Sequence, residues 1–166
     1  MNTAKEKVAV DLRHGLWTLL LRTRKIMYKA REKEHHQHGI SLGSSGVLLT
    51  ILRLGEKATP SAISRDLFLE PHSVSELLKR MEKEGLIKRT KDSKRRNLVH
   101  VELTEKGYDA HLESSEREST NAIMSVLTYE EQLELWCLLA KLRASAIEYL
   151  GMEDRDLYPP SDPEDL

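Results

Sequence analysis

Cysteine occurs once in this chain, at position 137, and phenylalanine once, at position 68. A single cysteine excludes a disulfide within the chain and fits a reducing setting. No apolar run approaches the ~20 residues that a membrane-spanning helix needs, and the opening M-N-T-A-K-E-K-V lacks the apolar core of a signal peptide. No Ser-His-Asp or Cys-His constellation, glycine-rich phosphate loop or zinc-ligand spacing is recognisable. The expectation is a soluble cytoplasmic protein that is not an enzyme, needs no cofactor or metal and has no membrane partner. Proline is sparse as well: Pro60 and Pro71 stand in the body, and Pro159, Pro160 and Pro163 in the tail. What remains is rich in Leu, Glu, Lys, Arg and Ala, which reads as mainly helical. A length of 166 residues suits one domain, or two lobes sharing one core.

The formal net charge of −1 conceals segregation. Residues 1–40 hold nine Lys/Arg against four Asp/Glu, residues 72–107 ten against six, and residues 148–166 one against seven. A duplex-binding face needs only local positive charge, because affinity comes from the counterions its own contacts release. Taken alone, such runs are equally ordinary solvated faces. The motif beneath the central run favours the functional reading.

That motif spans Glu70 to Gly107. Pro71 suits the first helical position, Val74, Leu77, Leu78 and Met81 make one apolar stripe, and Gly85 supplies a left-handed stop. The other face carries His72, Ser73, Ser75, Glu76, Lys79 and Lys83. A short strand Leu86–Arg89, a basic tip from Lys91 to Asn97, and a second strand with Val99, Val101 and Leu103 facing inward follow. A helix followed by a two-stranded ribbon with a basic tip is the layout of a winged helix. There the helix enters the major groove, and the ribbon reaches phosphates or the minor groove. His72, Ser73 and Ser75 lie in the first turn, where base edges are met; Glu76 is a candidate either to accept from a cytosine amine or to pair with Lys79 or Arg80, with the pairing favoured, and Lys79 is a phosphate candidate. Consecutive cations Lys94, Arg95 and Arg96 argue for phosphate or minor-groove contact at the tip.

The rest of the chain supplies helices. Residues 5–36 form a long amphipathic helix, with Val8, Leu12, Leu16, Leu19, Leu20, Met27 and Ala30 at helical steps. His35, His36 and His38 read as a polar helix end rather than a metal tract, since neighbouring helical side chains diverge. Leu42–Leu54 is a second helix capped by Ser44 or Ser45, with Val47, Leu48, Ile51 and Leu52 inward. Thr59 and Pro60 open a third, with Ile63, Leu67 and Leu69 inward, and a turn near Phe68–Glu70 completes a helix-turn-helix. Thr59 and Ser61, beside free N–H groups, are phosphate-clamp candidates as well as simple caps. Thr104 caps a fifth helix with Tyr108, Leu112, Ser115, Ala122, Ile123 and Val126 inward. Thr128–Glu131 is a capping box for a sixth, striped by Leu133, Trp136, Cys137, Ala140, Ala144 and Ile147. On that stripe Cys137 reads as a buried structural thiol rather than a redox sensor.

Ser73-Val74-Ser75, Leu77, Arg80-Met81-Glu82, Gly85 through Arg89, the basic tip, and Val101 through Gly107 together resemble the multiple-antibiotic-resistance regulator (MarR) family of winged helix-turn-helix transcription factors. The likeness extends by helix order over residues 10–148. It implies a homodimeric DNA-binding regulator, usually a repressor released by a small ligand or by oxidation. The family's wing places Asp-x-Arg eight and six residues before the Leu of L-T, whereas Arg95 and Asn97 stand there. Asp92 is the alternative brace for Arg95 or Arg96, and which arginine reaches DNA stays open. The fold expected is mainly α: a winged helix-turn-helix with a two-stranded β wing over 42–104, and a helical dimerisation lobe from 1–41 and 105–151. An acidic tail over 152–166 is expected to be mobile or draped on the surface. The expected partners are double-stranded DNA, a second copy of the chain, and a small-molecule effector at the lobe junction. Two rivals stand beside this: a winged-helix module that binds protein, and a ligand or metal sensor with a secondary DNA role.

Overall fold

A computed structural model of the chain describes residues 3–37, 39–92, 98–115, 117–152 and 158–165, with the backbone alone for 3–10. The elements are α1 (Thr3–Gln37), α2 (Leu42–Leu54), α3 (Pro60–Asp66), α4 (Pro71–Lys83), β1 (Ile87–Lys91), β2 (Val99–Leu103), α5 (Glu105–Ser114), α6 (Glu118–Met124) and α7 (Tyr129–Tyr149). The strands pair antiparallel, with Arg89 opposite Val101. This is the mostly helical winged architecture that the periodicities predict. Among the described residues no helix is long and apolar enough to cross a membrane.

The core lies within the winged part. Val47, Leu48 and Ile51 of α2 meet Ile63 of α3, Val74, Leu78 and Met81 of α4, Leu86 and Ile87 before and in β1, and Val101 of β2. Leu67, Leu77 and Leu103 pack against this cluster from its edge. Thr59 caps α3 by accepting from the Ala62 N–H at 3.2 Å, and Pro60 and Pro71 each open their helices as expected. The ribbon is stitched to the loop before α3, where the Val101 N–H donates to the Ala58 carbonyl at 2.9 Å.

Several expectations are corrected. The α2 cap is Ser41, whose Oγ accepts from the Ser44 N–H at 3.1 Å, so Leu42 and Gly43 already belong to the first turn. Leu52 is exposed, because it sits one step round the helix from the Val47–Ile51 stripe. Leu69 is exposed too: left-handed Phe68 (φ 52°) turns the chain outward, and the Ser64 Oγ donates to the Leu69 carbonyl at 2.7 Å. The expected fifth helix is two helices. Ser114 and Ser115 turn their hydroxyls onto the carbonyls of His111 and Leu112, at 3.1 and 2.6 Å, and α5 ends there. Tyr108, Leu112 and Val126, expected inward, are exposed on the single chain. Cys137 and Ala144 are exposed as well, since the inner face of α7 runs instead through Trp136, Ala140, Arg143 and Ile147.

Candidate nucleic-acid interface

Helix α4 divides sharply. Val74, Leu78 and Met81 are fully buried, while His72, Ser73, Glu76 and Lys79 are exposed and Ser75 is half-buried. Burial of one stripe leaves the polar first turns of this helix facing outward as a unit. Glu76 and Lys79 pair at 2.7 Å, as expected, and the Lys79 ammonium holds the Glu76 carboxyl below its ordinary pKa. Arg80 pairs instead with Glu84, at 3.8 Å. Ser61 is exposed at the start of α3, and Thr59 is half-buried with its Oγ engaged by the Ala62 N–H. Arg65 of α3 is an exposed cation that the sequence reading passed over. Lys94, Arg95 and Arg96 lie outside the described residues, as does His38.

The wing is tied to α4 and to the loop after α2 by charged groups. Arg89 of β1 donates through Nε to Glu82 of α4 at 2.9 Å and closes an ion pair through its Nη2. Those hydrogen bonds, opposed by partial burial and aided by the Arg89 charge, hold Glu82 below its ordinary pKa. At the base of the tip, His100 sits between Asp92 Oδ2, at 3.2 Å, and the Glu56 carbonyl, at 3.1 Å. Lys88 and Glu102 pair across the strands at 2.7 Å. The expected brace from Asp92 to Arg95 or Arg96 falls on residues outside the description.

A buried polar junction, unforeseen in the sequence, joins the end of α1 to the start of α6. Glu34 accepts from the Glu118 N–H at 3.1 Å, from the Ser119 N–H at 3.3 Å, from the Ser119 hydroxyl, and from Arg31 at 2.8 Å. It thereby satisfies free N–H groups at the opening turn of α6. Nothing in E-K-E-H-H-Q distinguishes this glutamate from its neighbours, so only tertiary structure identifies it. Beside it His35 is wholly buried, with Nδ1 3.0 Å from the Arg31 carbonyl. Ser45 of α2 meets Ser114 of α5 at 3.3 Å between hydroxyls. Among the described residues no group of three or more His, Cys, Asp or Glu is placed to hold a metal ion.

Burial pushes the Glu34 pKa up, but the hydrogen bonds from Ser119 and Arg31 and the Arg31 charge outweigh it, so the carboxyl titrates below its ordinary 4.5. With the folded value depressed, the unfolded chain takes up the proton first as pH falls. The Glu34 contribution is therefore complete above the ordinary glutamate range and is lost as pH drops through the folded value. Urea midpoints measured from about pH 6 to about pH 3 should fall less steeply for Glu34→Gln than for the parent. Parallel pH profiles would mean that the α6 start does not depend on this charge.

Comparison with known proteins follows the same geometry. The family model described as "MarR family" matches residues 38–96. An organohalide-sensing transcriptional regulator, RdhR, solved with 2,4-dichlorophenol bound, is 31% identical, with 90% of this chain and 89% of that one covered and a TM-score of 0.81. A mutant MarR from E. coli complexed with operator DNA is 20% identical over 77% of this chain and 93% of that one, with a TM-score of 0.72. The S. aureus MepR–DNA complex is 22% identical over 77% and 96%, with a TM-score of 0.71; these two likenesses concern the fold alone. No curated protein sequence matches. A family model on the winged segment, and a 31%-identical regulator aligned along nine-tenths of the chain, place this protein in the MarR family of transcriptional regulators.

Proposed function

We propose that the chain binds duplex DNA sequence-specifically as a homodimer, on an inverted repeat, and represses transcription there. The observation that carries this reading is the division of α4: a fully buried apolar stripe behind an outward first turn of His72, Ser73, Ser75 and Glu76. Serines at base edges give contact, Lys79 reaches phosphate from the next turn, and Thr59 and Ser61 approach phosphate from α3. Lys94, Arg95 and Arg96 supply the wing's charge. A twofold pair places two α4 helices about one turn of duplex apart, roughly 34 Å. RdhR was solved with 2,4-dichlorophenol, which supports a small-molecule effector for this chain at the junction of α1, α2 and α5. An effector regulates only through different affinity for two spacings of the α4 helices.

Selection of bound duplexes from a random pool tests the reading. An inverted repeat with half-sites one turn apart is the expected product. Ser75→Leu should then weaken binding to the selected duplex about fivefold more than binding to random duplex, a single serine contact lying at the low end of the about 1–3 kcal/mol of a bidentate pair. Equal loss on both would reduce the serines to backbone positioning. Affinity that ignores salt on every duplex would favour a protein-binding winged module instead.

A further inference from the structure

Helix α7 is hydrogen-bonded near its start to the end of α6 and the loop that follows, through Gln132, and further along to the chain's C-terminal segment. Trp136 Nε1 donates to the Ser161 carbonyl at 2.9 Å. Arg143 donates to the Pro159 carbonyl at 2.6 Å and to the Ser161 hydroxyl at 3.1 Å. Trp136 and Arg143 are two turns apart on one face, and Ala140 and Ile147 share it. The apolar residues Leu135, Leu142 and Leu138 lie roughly 110° to 170° away round the helix, at ~100° per residue. The segment therefore occupies one face of α7 and leaves its apolar face open.

The same segment reaches the helix-turn-helix. The Arg53 guanidinium lies 4.6 Å from the centre of the Tyr158 ring. Arg53 also closes an ion pair with Asp66, in the last turn of α3. Asp66 accepts from Thr50 of α2 at 2.9 Å. A continuous path thus runs from α7 through Ser161, Pro159 and Tyr158 to Arg53, Asp66 and α3. Its acceptors on the tail are two carbonyls, a hydroxyl and an aromatic face, all neutral.

We propose that Tyr158–Ser161 is an internal strap that couples the position of α7 to α3. It bypasses α5 and α6 and links a helix of the terminal lobe directly to the helix-turn-helix. The linkage rests on the DNA-binding reading only for its purpose, and it is tested without DNA. Hydrogen exchange is followed on the full chain. Tyr158→Leu cuts the strap at Arg53, and Trp136→Phe with Arg143→Met cuts it at α7. Each cut should speed exchange of the Leu67 and Leu69 amides, which close α3, about fivefold, while α4 amides keep their protection and so report an intact fold. Because the two cuts lie in series, the combined variant should exchange no faster than either alone. Unchanged Leu67 and Leu69 amides after either cut, or effects that multiply in the combined variant, would overturn the strap.

Discussion

Gly107→Ala is expected to unfold the winged domain or to cost it at least about 3 kcal/mol, out of the roughly 5–15 kcal/mol typical of a domain. A Cβ on Gly107 would lie 1.9 Å from the Leu86 carbonyl oxygen and 2.9 Å from its carbon. Both are backbone atoms, so no side chain can swing aside. Neither partner is free to retreat. Leu86 O accepts the Thr104 N–H at 3.1 Å, the Thr104 hydroxyl donates to Gly85 O at 2.6 Å, and the Gly107 N–H donates back to that hydroxyl at 3.0 Å. Gly85 itself holds a φ of 75°, a conformation that a side chain resists. Gly15→Ala is the control: nothing lies within 4 Å of its Cβ position, and in a helix interior alanine gains about 0.5–1 kcal/mol over glycine. Urea midpoints of the two variants should move in opposite directions. A Gly107→Ala protein within about 1 kcal/mol of the parent would contradict so close an approach of α5 to β1.

Leu138→Asp should raise the dissociation constant of the proposed dimer on the order of a thousandfold. On the single chain Leu12, Leu16, Trp17, Leu19 and Ile26 of α1 are exposed, Trp17 to 63%, as are Leu135, Leu138, Leu139 and Leu142 of α7. A run of this kind exceeds what a monomer ordinarily leaves to water. Losing a buried Leu costs about 1.5–3 kcal/mol, and burying an unpaired carboxylate adds several more. A twofold interface carries the substitution twice, which brings the sum past the ~4 kcal/mol that a thousandfold requires. Sedimentation at micromolar concentration reads the outcome, and binding to an inverted repeat should fall with it. A parent that sediments as a folded monomer, or a variant that pairs undiminished, removes the basis for two half-sites.

The sequence disclosed most where local chemistry and tertiary fate coincide. Thr59-Pro60, Pro71, Gly85 and the Thr128–Glu131 box each act within one turn, and each sits where its pattern places it. The split α4 face was readable because one stripe of four apolar residues leaves little choice of core side. Reading failed where a residue's partner is distant in sequence. Glu34 caps a helix 84 residues on, Asp66 serves α2 as well as α3, and Gly107 is fixed by a carbonyl from before β1. The helix break at Ser115 was invisible because E-S-S-E-R-E-S-T contains neither glycine nor proline; serine hydroxyls ended the helix instead. Cys137 was misassigned because α7 is apolar on two faces, and the buried one could not be chosen without knowing that the tail lies on Trp136 and Arg143.

Pinning one end of a long rod makes it a lever. Helix α1 is continuous over 35 residues, and among its described residues the buried ones, Glu34 and His35, lie at its C-terminal end. From there back to Leu12 is roughly 35 Å of unbroken helix, at ~1.5 Å per residue. A swing of about six degrees about that fulcrum carries Leu12 through roughly 3.6 Å, close to the ~3.4 Å rise of one base pair. In the proposed dimer the partner copy holds the far end, so a tilt of that size displaces the winged part relative to the terminal lobe by the same few ångströms.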